Sequence, residues 1–496
     1  MKISQISLNY SNNNSPQNKK GMSFCGKTYF YAFTDIHQNA ELHCKYINKL
    51  IEKAKTNNNI VLLDNGDIFK GLYPKNSLIN TYSTAKKLAP NLEIIYNVGN
   101  NDPGFKEYDS KIFREYLKIL NQSGVKVISA NIKDGKTGKI PEGVNPYVIV
   151  NRDGDNILYT GFVVDKIRSD FATIDSFNSL DALEKLAPEI KSKMKEYNCK
   201  GFVILLHDKE ENAFKIRQKA LELGLNPEFI IGGHVHHTFS DESKNIYYPE
   251  PFGLSMMNFN LDINKDKHSL KIFNPILPEN CETGIFSKEI EEVKQKEEYN
   301  KAIAKSVLEL KHNYMPEYSM VHNELGTFYS DAIKNITQSE IGLVPKSWIY
   351  DTLPFKKDQY ITKIDVLKSC PQPFSQITQI RLTPDELKNL LQNDINKKNR
   401  IYEASQNVSI GLSSDNKTIK QIKINGEELF DSNGNAKEPE RKISIAIDYF
   451  SIRNKGYESK KSEYSMYDGI IRQLKILEKE YPTNSSYPVS EIYKID

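Results

Sequence analysis

Cysteine is scarce in this chain. Its five cysteines (Cys25, Cys44, Cys199, Cys281, Cys370) are scattered, odd in number and without a C-x-x-C pair. That spacing excludes a disulfide framework and a thiolate metal site. Neither sign of charge dominates: 67 basic residues against 64 acidic ones leave a formal +3, so neither nucleic acid nor an anionic membrane is expected as partner. No run approaches the roughly 18 apolar residues that a spanning helix needs. The opening MKISQISLNYSNNNSPQNKKGMSFC has no apolar stretch of the kind a signal peptide carries. These absences set the expectation of a soluble, cytoplasmic protein with no membrane partner.

What is present points to packed domains. The 496 residues, 39% hydrophobic and 26% charged, exceed one ordinary core and predict two domains joined by a linker. Short runs rich in Val, Ile, Tyr and Phe read as buried strands: 30–34, 59–64, 93–98, 125–131, 201–206 and 228–231. Helical stretches separate them. One covers 40–55, with Leu42, Ile47, Leu50 and Ile51 at helical spacing; others lie near 180–197 and 210–223. This alternation predicts an α/β fold with crossover units. From 246 to 274 the pattern is strand alone. The segment 287–312, free of Gly and Pro and interleaving Glu with Lys, predicts a connecting helix. Beyond about 315, helices and strands mix, with polar turns at 411–418 and 431–440.

The chemistry gathers at strand ends. The run 30–34 leads into Asp35-Ile36-His37, 59–64 into Asn65-Gly66-Asp67, and 93–98 into Gly99-Asn100-Asn101-Asp102. His207-Asp208 follows 201–206, and Gly232-Gly233-His234-Val235-His236 follows 228–231. The C-terminal ends of parallel strands line one crevice. A lone strand-end Asp is commonly a turn residue, and a lone His an ordinary core or surface residue; His43, His237, His268, His312 and His322 take that bland reading. Five ligand-bearing strand ends in succession do not. Carboxylate, imidazole and amide-oxygen donors together suit a pair of transition metals better than Ca²⁺ or Mg²⁺. Such a pair, about 3.5–4 Å apart, clamps a phosphoryl group and acidifies water.

In order, these residues resemble the calcineurin-like metallophosphoesterases, whose motifs run D-x-H, GD, GN-[HN]-[DE], a lone H and GHxH. The stretches Asp67-Ile68-Phe69-Lys70-Gly71, Ser129-Ala130-Asn131-Ile132 and Ile230-Ile231-Gly232-Gly233-His234 are similar to the 5'-nucleotidase branch. So are Glu324 to Ala332, Lys423-Ile424-Asn425-Gly426 and Ile445 to Phe450 in the second half. The resemblance implies an αββα sandwich over residues 27–286, a helical linker over 287–314 and an α+β 5'-nucleotidase-like substrate-binding domain over 315–496, after a disordered lead over 1–26. It implies that Asp67 bridges two divalent transition metals (Zn, Mn, Co or Fe). Asp35, His37 and His236 would hold one ion, and Asn100, His207 and His234 the other. Asn101 and Asp102 are the candidate catalytic residues, and Phe450 and Tyr402 the candidate base-stacking pair.

Three departures from the family pattern bear on substrate. Asn101 stands where the family has a His that helps protonate the leaving group, and an amide carries no proton at neutral pH. The phosphate-binding NGGGIR stretch is replaced near Leu343-Val344-Pro345-Lys346-Ser347-Trp348. The GGDGY stretch is shortened to Arg453-Asn454-Lys455-Gly456-Tyr457, without its ribose-binding Asp. The leading expectation is hydrolysis of a nucleotide or nucleotide-sugar ester by metal-activated hydroxide. A phosphatase or phosphodiesterase for a non-nucleotide ester, and a relative that binds metal or ligand without catalysis, remain open alternatives.

Overall fold

Why the strand runs are apolar at every position, rather than at alternate ones, is clear from what covers them. In the computed structural model, the first half contains two six-stranded sheets stacked face to face, with helices on both outer faces. The structure describes residues 27–495 except 38–39, 69–74, 104–106, 153, 166–173, 264–267, 297, 299, 311–321, 347–348, 350–354, 371–374, 397–401, 453–454 and 481–486. The proposed lead over 1–26 therefore lies outside the described residues, as does His312.

The first half runs β1 Lys27–Phe33, α1 Ala40–Ala54, β2 Ile60–Asp64, α2 Lys75–Leu88, β3 Glu93–Asn97, α3 Glu107–Gln122, β4 Lys126–Ile128 and β5 Ile132–Asp134. It continues with β6 Tyr147–Arg152, β7 Asp155–Val163, β8 Ile174–Ser176, α4 Ser179–Glu196, β9 Cys199–His207, α5 Glu210–Glu222 and β10 Phe229–Gly232. Then come β11 Phe239–Asp241, β12 Ile246–Tyr248, β13 Met256–Ile263, β14 His268–Ile276 and α6 Ser287–Lys296. One sheet has the order β14-β13-β1-β2-β3-β4, the other β11-β12-β10-β9-β7-β6. In β1, Phe30 and Ala32 face the layer between the sheets, while Tyr31 and Phe33 face α1 to α3. In β9, Val203 and Leu205 face the same middle layer, while Phe202, Ile204 and Leu206 pack under α4 and α5. Both faces are buried, so the sequence cannot alternate. Phe30, Phe229 and Phe259 meet between the sheets at centroid distances of 5.0–5.2 Å. This is the expected αββα sandwich.

The connecting helix is shorter than the sequence predicts. α6 ends at Lys296, and its Ile290 packs into the core of the first half, with Lys294 3.3 Å from Glu41. The next element, β15 Ala302–Lys305, is a strand. Leu308 and Leu310 behind it are buried in the core of the second half. The strand's partner lies some 60 residues further on, at 360–362, so the local pattern gives no sign of it. The linker boundary at 314/315 falls outside the described residues.

The second half continues with α7 Glu324–Thr337, β16 Ile341–Pro345, β17 Tyr360–Thr362, α8 Lys363–Ser369, β18 Gln376–Leu382, α9 Pro384–Asn396 and β19 Tyr402–Ala404. It ends with β20 Val408–Ser413, β21 Ile419–Ile424, β22 Glu427–Glu428, β23 Ile443–Asp448, α10 Tyr449–Ile452, β24 Ser459–Ser465, α11 Met466–Glu480 and β25 Glu491–Ile495. A five-stranded sheet, β19-β16-β23-β18-β24, carries α7 and α11 on one face. A four-stranded sheet, β22-β21-β20-β25, and α9 share a core with its other face. The halves touch through α8, whose Ile364 joins the first core, and α11, whose Tyr467 packs against both cores.

Candidate metal centre

The strand ends converge because their loops are tied to each other. After β1, Asp35 N donates to Gly66 O at 2.9 Å and His37 N to Asp67 O at 2.9 Å. Two buried carboxylates then hold the Gly66–Ile68 turn. Asp64 Oδ1 accepts from Gly66 N at 3.0 Å, while Asp102 accepts from the amides of Asp67 (3.1 Å), Ile68 (2.9 Å) and Gly99 (2.6 Å). A buried tyrosine donates to each, Tyr82 to Asp64 and Tyr96 to Asp102. Gly66 has φ +86°, and a Cβ there would fall 2.4 Å from Gly99 N. Only glycine lets these loops press together.

Around that turn lie all seven residues expected as ligands. One group comprises Asp35, His37, Asp67 and His236, with ligand atoms within 4.8 Å of one another. Asp35 Oδ1 is buried and accepts no hydrogen bond in the structure. Yet the Nε2 atoms of His236, His37 and His207 lie 3.2, 3.7 and 3.8 Å from it. His37 Nε2 and His236 Nε2 face each other at 3.0 Å. The other group gathers on Asn100, whose Oδ1 lies 2.7 Å from His234 Nδ1 and 3.2 Å from His207 Nε2. Asp67 Oδ2 is 3.3 Å from His207 Nε2 and 4.0 Å from His37 Nε2, so it touches both groups.

The donor chemistry fits a cation. His207 Nδ1 donates to the Asn65 carbonyl at 2.6 Å, because a carbonyl can only accept, and this turns the Nε2 lone pair toward Asn100 and Asp67. Imidazole nitrogens, an amide oxygen and two carboxylates converge there, one carboxylate oxygen without a hydrogen-bond partner, and this is a donor set that a cation suits. Without metal, the positive charge falls on His207: burial works against it, but the Asp67 and Asp35 carboxylates push its pKa up to about 10. Burial lowers His37, and burial together with His207 brings His234 down to about 3, so both stay neutral. Backbone strain marks the same residues. Asp35, His37, Asp67, His234 and His236 all have φ between +47° and +80°. Non-glycine residues adopt that region at a cost of about 1–3 kcal/mol each, and they do so mainly at functional sites.

The remaining expected site residues divide. Asn101 donates from its backbone N to Asp67 Oδ1 at 2.7 Å and from its side chain to Asp67 Oδ2; it orients the carboxylate. Asp102 is buried, and its oxygens accept from the three amides and Tyr96. Tyr402 lies on β19, buried in the second half's core and against β16. Phe450 falls in α10, but its side chain lies outside the described residues. Lys346, near the replaced phosphate-binding stretch, is buried with Glu403 at 3.5 Å. Arg453 and Asn454 lie outside the described residues.

Sequence reasoning missed several supports. Asn65 Nδ2 donates to Leu206 O (3.1 Å) and Ile231 O (3.2 Å), and its Oδ1 accepts from Asn97 at 2.8 Å, stitching the two sheets beneath the ligands. Phe252 walls the site, with ring centroids 4.8 Å from His236 and 5.6 Å from His37. Nothing local in the sequence marks either.

Residues 28–238 match the family model for calcineurin-like phosphoesterase. That match spans the sandwich from β1 to just beyond β10. No curated protein sequence matches the chain, but solved structures do. A 5'-nucleotidase precursor from Thermus thermophilus is 14% identical with TM-score 0.69, covering 95% of this chain and 99% of its own. A sulfate thiohydrolase from the same genus is 12% identical with TM-score 0.67, covering 95% and 99%. A 5'-nucleotidase from Candida albicans is 13% identical with TM-score 0.62, covering 92% and 98%. The phosphoesterase domain and the second domain together thus have the two-domain fold of 5'-nucleotidases.

Proposed function

We propose that this chain hydrolyses phosphate esters of nucleotides or nucleotide-sugars at a two-metal centre. Asp35, His37 and His236 would hold one ion, Asn100, His207 and His234 the other, and Asp67 would bridge them. The observation that carries this reading is the orphaned Asp35 Oδ1 facing three imidazoles inside a phosphoesterase domain. When bound, divalent ions of the Zn, Mn, Co or Fe type polarise the phosphoryl group and acidify water. The protein's own residues do the rest. Asn101 steadies Asp67 through two hydrogen bonds, Asp102 and Asp64 fix the turn that carries Asp67, and Phe252 closes one wall to water. Asn101 donates no proton to the leaving group, so that proton comes from solvent or another residue.

A non-nucleotide ester is the second reading. Tyr402 is buried in a core rather than poised to stack on a base, and Lys346 is engaged by Glu403. The 5'-nucleotidase fold is also that of a sulfate thiohydrolase, so it does not fix the substrate. Turnover with Mn²⁺, Zn²⁺ or Co²⁺ separates the readings, followed as phosphate from AMP and ADP, UMP from UDP-glucose, AMP from cyclic AMP and p-nitrophenol from bis-p-nitrophenyl phosphate. Preferred turnover of AMP or UDP-glucose supports the first, and preference for the aryl diester supports the second. Asp67→Asn is expected to lower metal-dependent release about 100-fold or more. Inert metal-loaded protein would overturn both.

A further inference from the structure

A cavity of about 610 Å³ opens beside α11, and none of the seven proposed metal ligands lines it. That volume lies within the roughly 300–1,000 Å³ of small-molecule sites. Four cations (Lys301, Lys363, Arg472, Lys475) line it against two carboxylates, Glu298 and Asp468. Both carboxylates are already engaged. Glu298 pairs with Lys301 at 3.2 Å, and Asp468 accepts from Ser465 N at 2.8 Å and Ser465 Oγ at 2.6 Å. Arg472 and Lys475, one turn apart on α11, make no hydrogen bond or ion pair among the described residues. Among the described lining residues, Arg472 and Lys475 are thus left to meet a bound anion.

Its remaining wall is apolar and aromatic: Ile303, Ile336, Ile471, Tyr464 and Tyr467. A bare inorganic anion would leave that surface without a partner, and a neutral apolar molecule would leave the cations without one. We propose that this cavity binds a small organic dianion with a flat apolar body. The anionic groups would meet Arg472 and Lys475, and the body would lie against Tyr464 and Ile303. Guanidinium and ammonium groups one helical turn apart present two donors on one face, suited to two negative charges on one rigid ligand. The site sits where Glu298, Lys301, Ala302 and Ile303, beyond α6, meet α11. Because α6 packs into the phosphoesterase core and Tyr467 touches both cores, an occupant would bridge the two halves of the chain.

The test is calorimetric titration of the full-length protein with 1,5-naphthalenedisulfonate. This probe has two fixed anionic groups on an aromatic plate and no ester to hydrolyse. Saturable one-to-one binding is expected, at least tenfold weaker in Arg472→Gln/Lys475→Gln and unchanged in Asp67→Asn. Both glutamines fall at exposed helical positions where Gln is a good helix former, so the double variant keeps the fold. Unchanged affinity in the double variant, loss of binding in Asp67→Asn, or no binding to the unaltered protein would each overturn the assignment.

Discussion

Asp102 and Asp67 lie at the end of adjacent loops, yet their carboxylates do different work. Asp67 turns toward the histidines, whereas Asp102 accepts three backbone N–H groups that would otherwise be buried without partners. An amide in its place keeps the shape but presents an NH₂ to those donors, and each orphaned N–H costs about 1–3 kcal/mol. Asp102→Asn is therefore expected to weaken metal affinity about 10–100-fold, measured by competition with a chromophoric chelator. Unchanged affinity would show that the turn needs no clamp. A second residue-scale prediction concerns Glu403. Burial pushes its carboxyl from 4.5 up to about 7, against the pull of Lys346. The folded chain then keeps a proton that the unfolded chain has lost between those two values, so stability falls as pH rises through that window. Glu403→Gln should flatten this slope, worth on the order of 1–3 kcal/mol, in urea titrations at pH 4.5 and 7.5. An identical slope in the variant would place the titrating group elsewhere. The proposed metal ligands could be picked out because each follows a strand and side-chain type announces a donor. The parts played by Asp102, Asn65 and Glu403 could not, because Asp67, Ile68, Leu206, Ile231 and Lys346, to which they bond, lie on other segments, and no local pattern encodes that.

At the scale of elements, the strands of the first half could be read directly. A strand covered on both faces must be apolar throughout, and β1, β2, β3, β9 and β10 all show it. The stretch 287–312 could not be read that way. Interleaved Glu and Lys suit an exposed helix and a half-exposed strand equally, and only the distant pairing with β17 decides. The consequence is measurable. In an exposed linker helix, Leu310→Ala would be nearly neutral. Buried as Leu310 is, the substitution should cost about 2–5 kcal/mol, read as a lower urea midpoint. A change below about 0.5 kcal/mol would return the segment to solvent.

Across the whole molecule, two domains with separate cores meet through Ile364 and Tyr467, and the proposed metal ligands all come from the first. On the proposed function the chemistry would belong to one sandwich, and the second domain, where Tyr402 is buried and Lys346 pairs with Glu403, would bear on which ester is accepted. The central claim is that two ions share Asp67. Anomalous scattering from crystals grown with Mn²⁺ tests it most directly. The account predicts two peaks about 3.5–4 Å apart, one among Asp35, His37 and His236 and one among Asn100, His207 and His234, with Asp67 touching both. A single peak, or none in contact with Asp67, would contradict it.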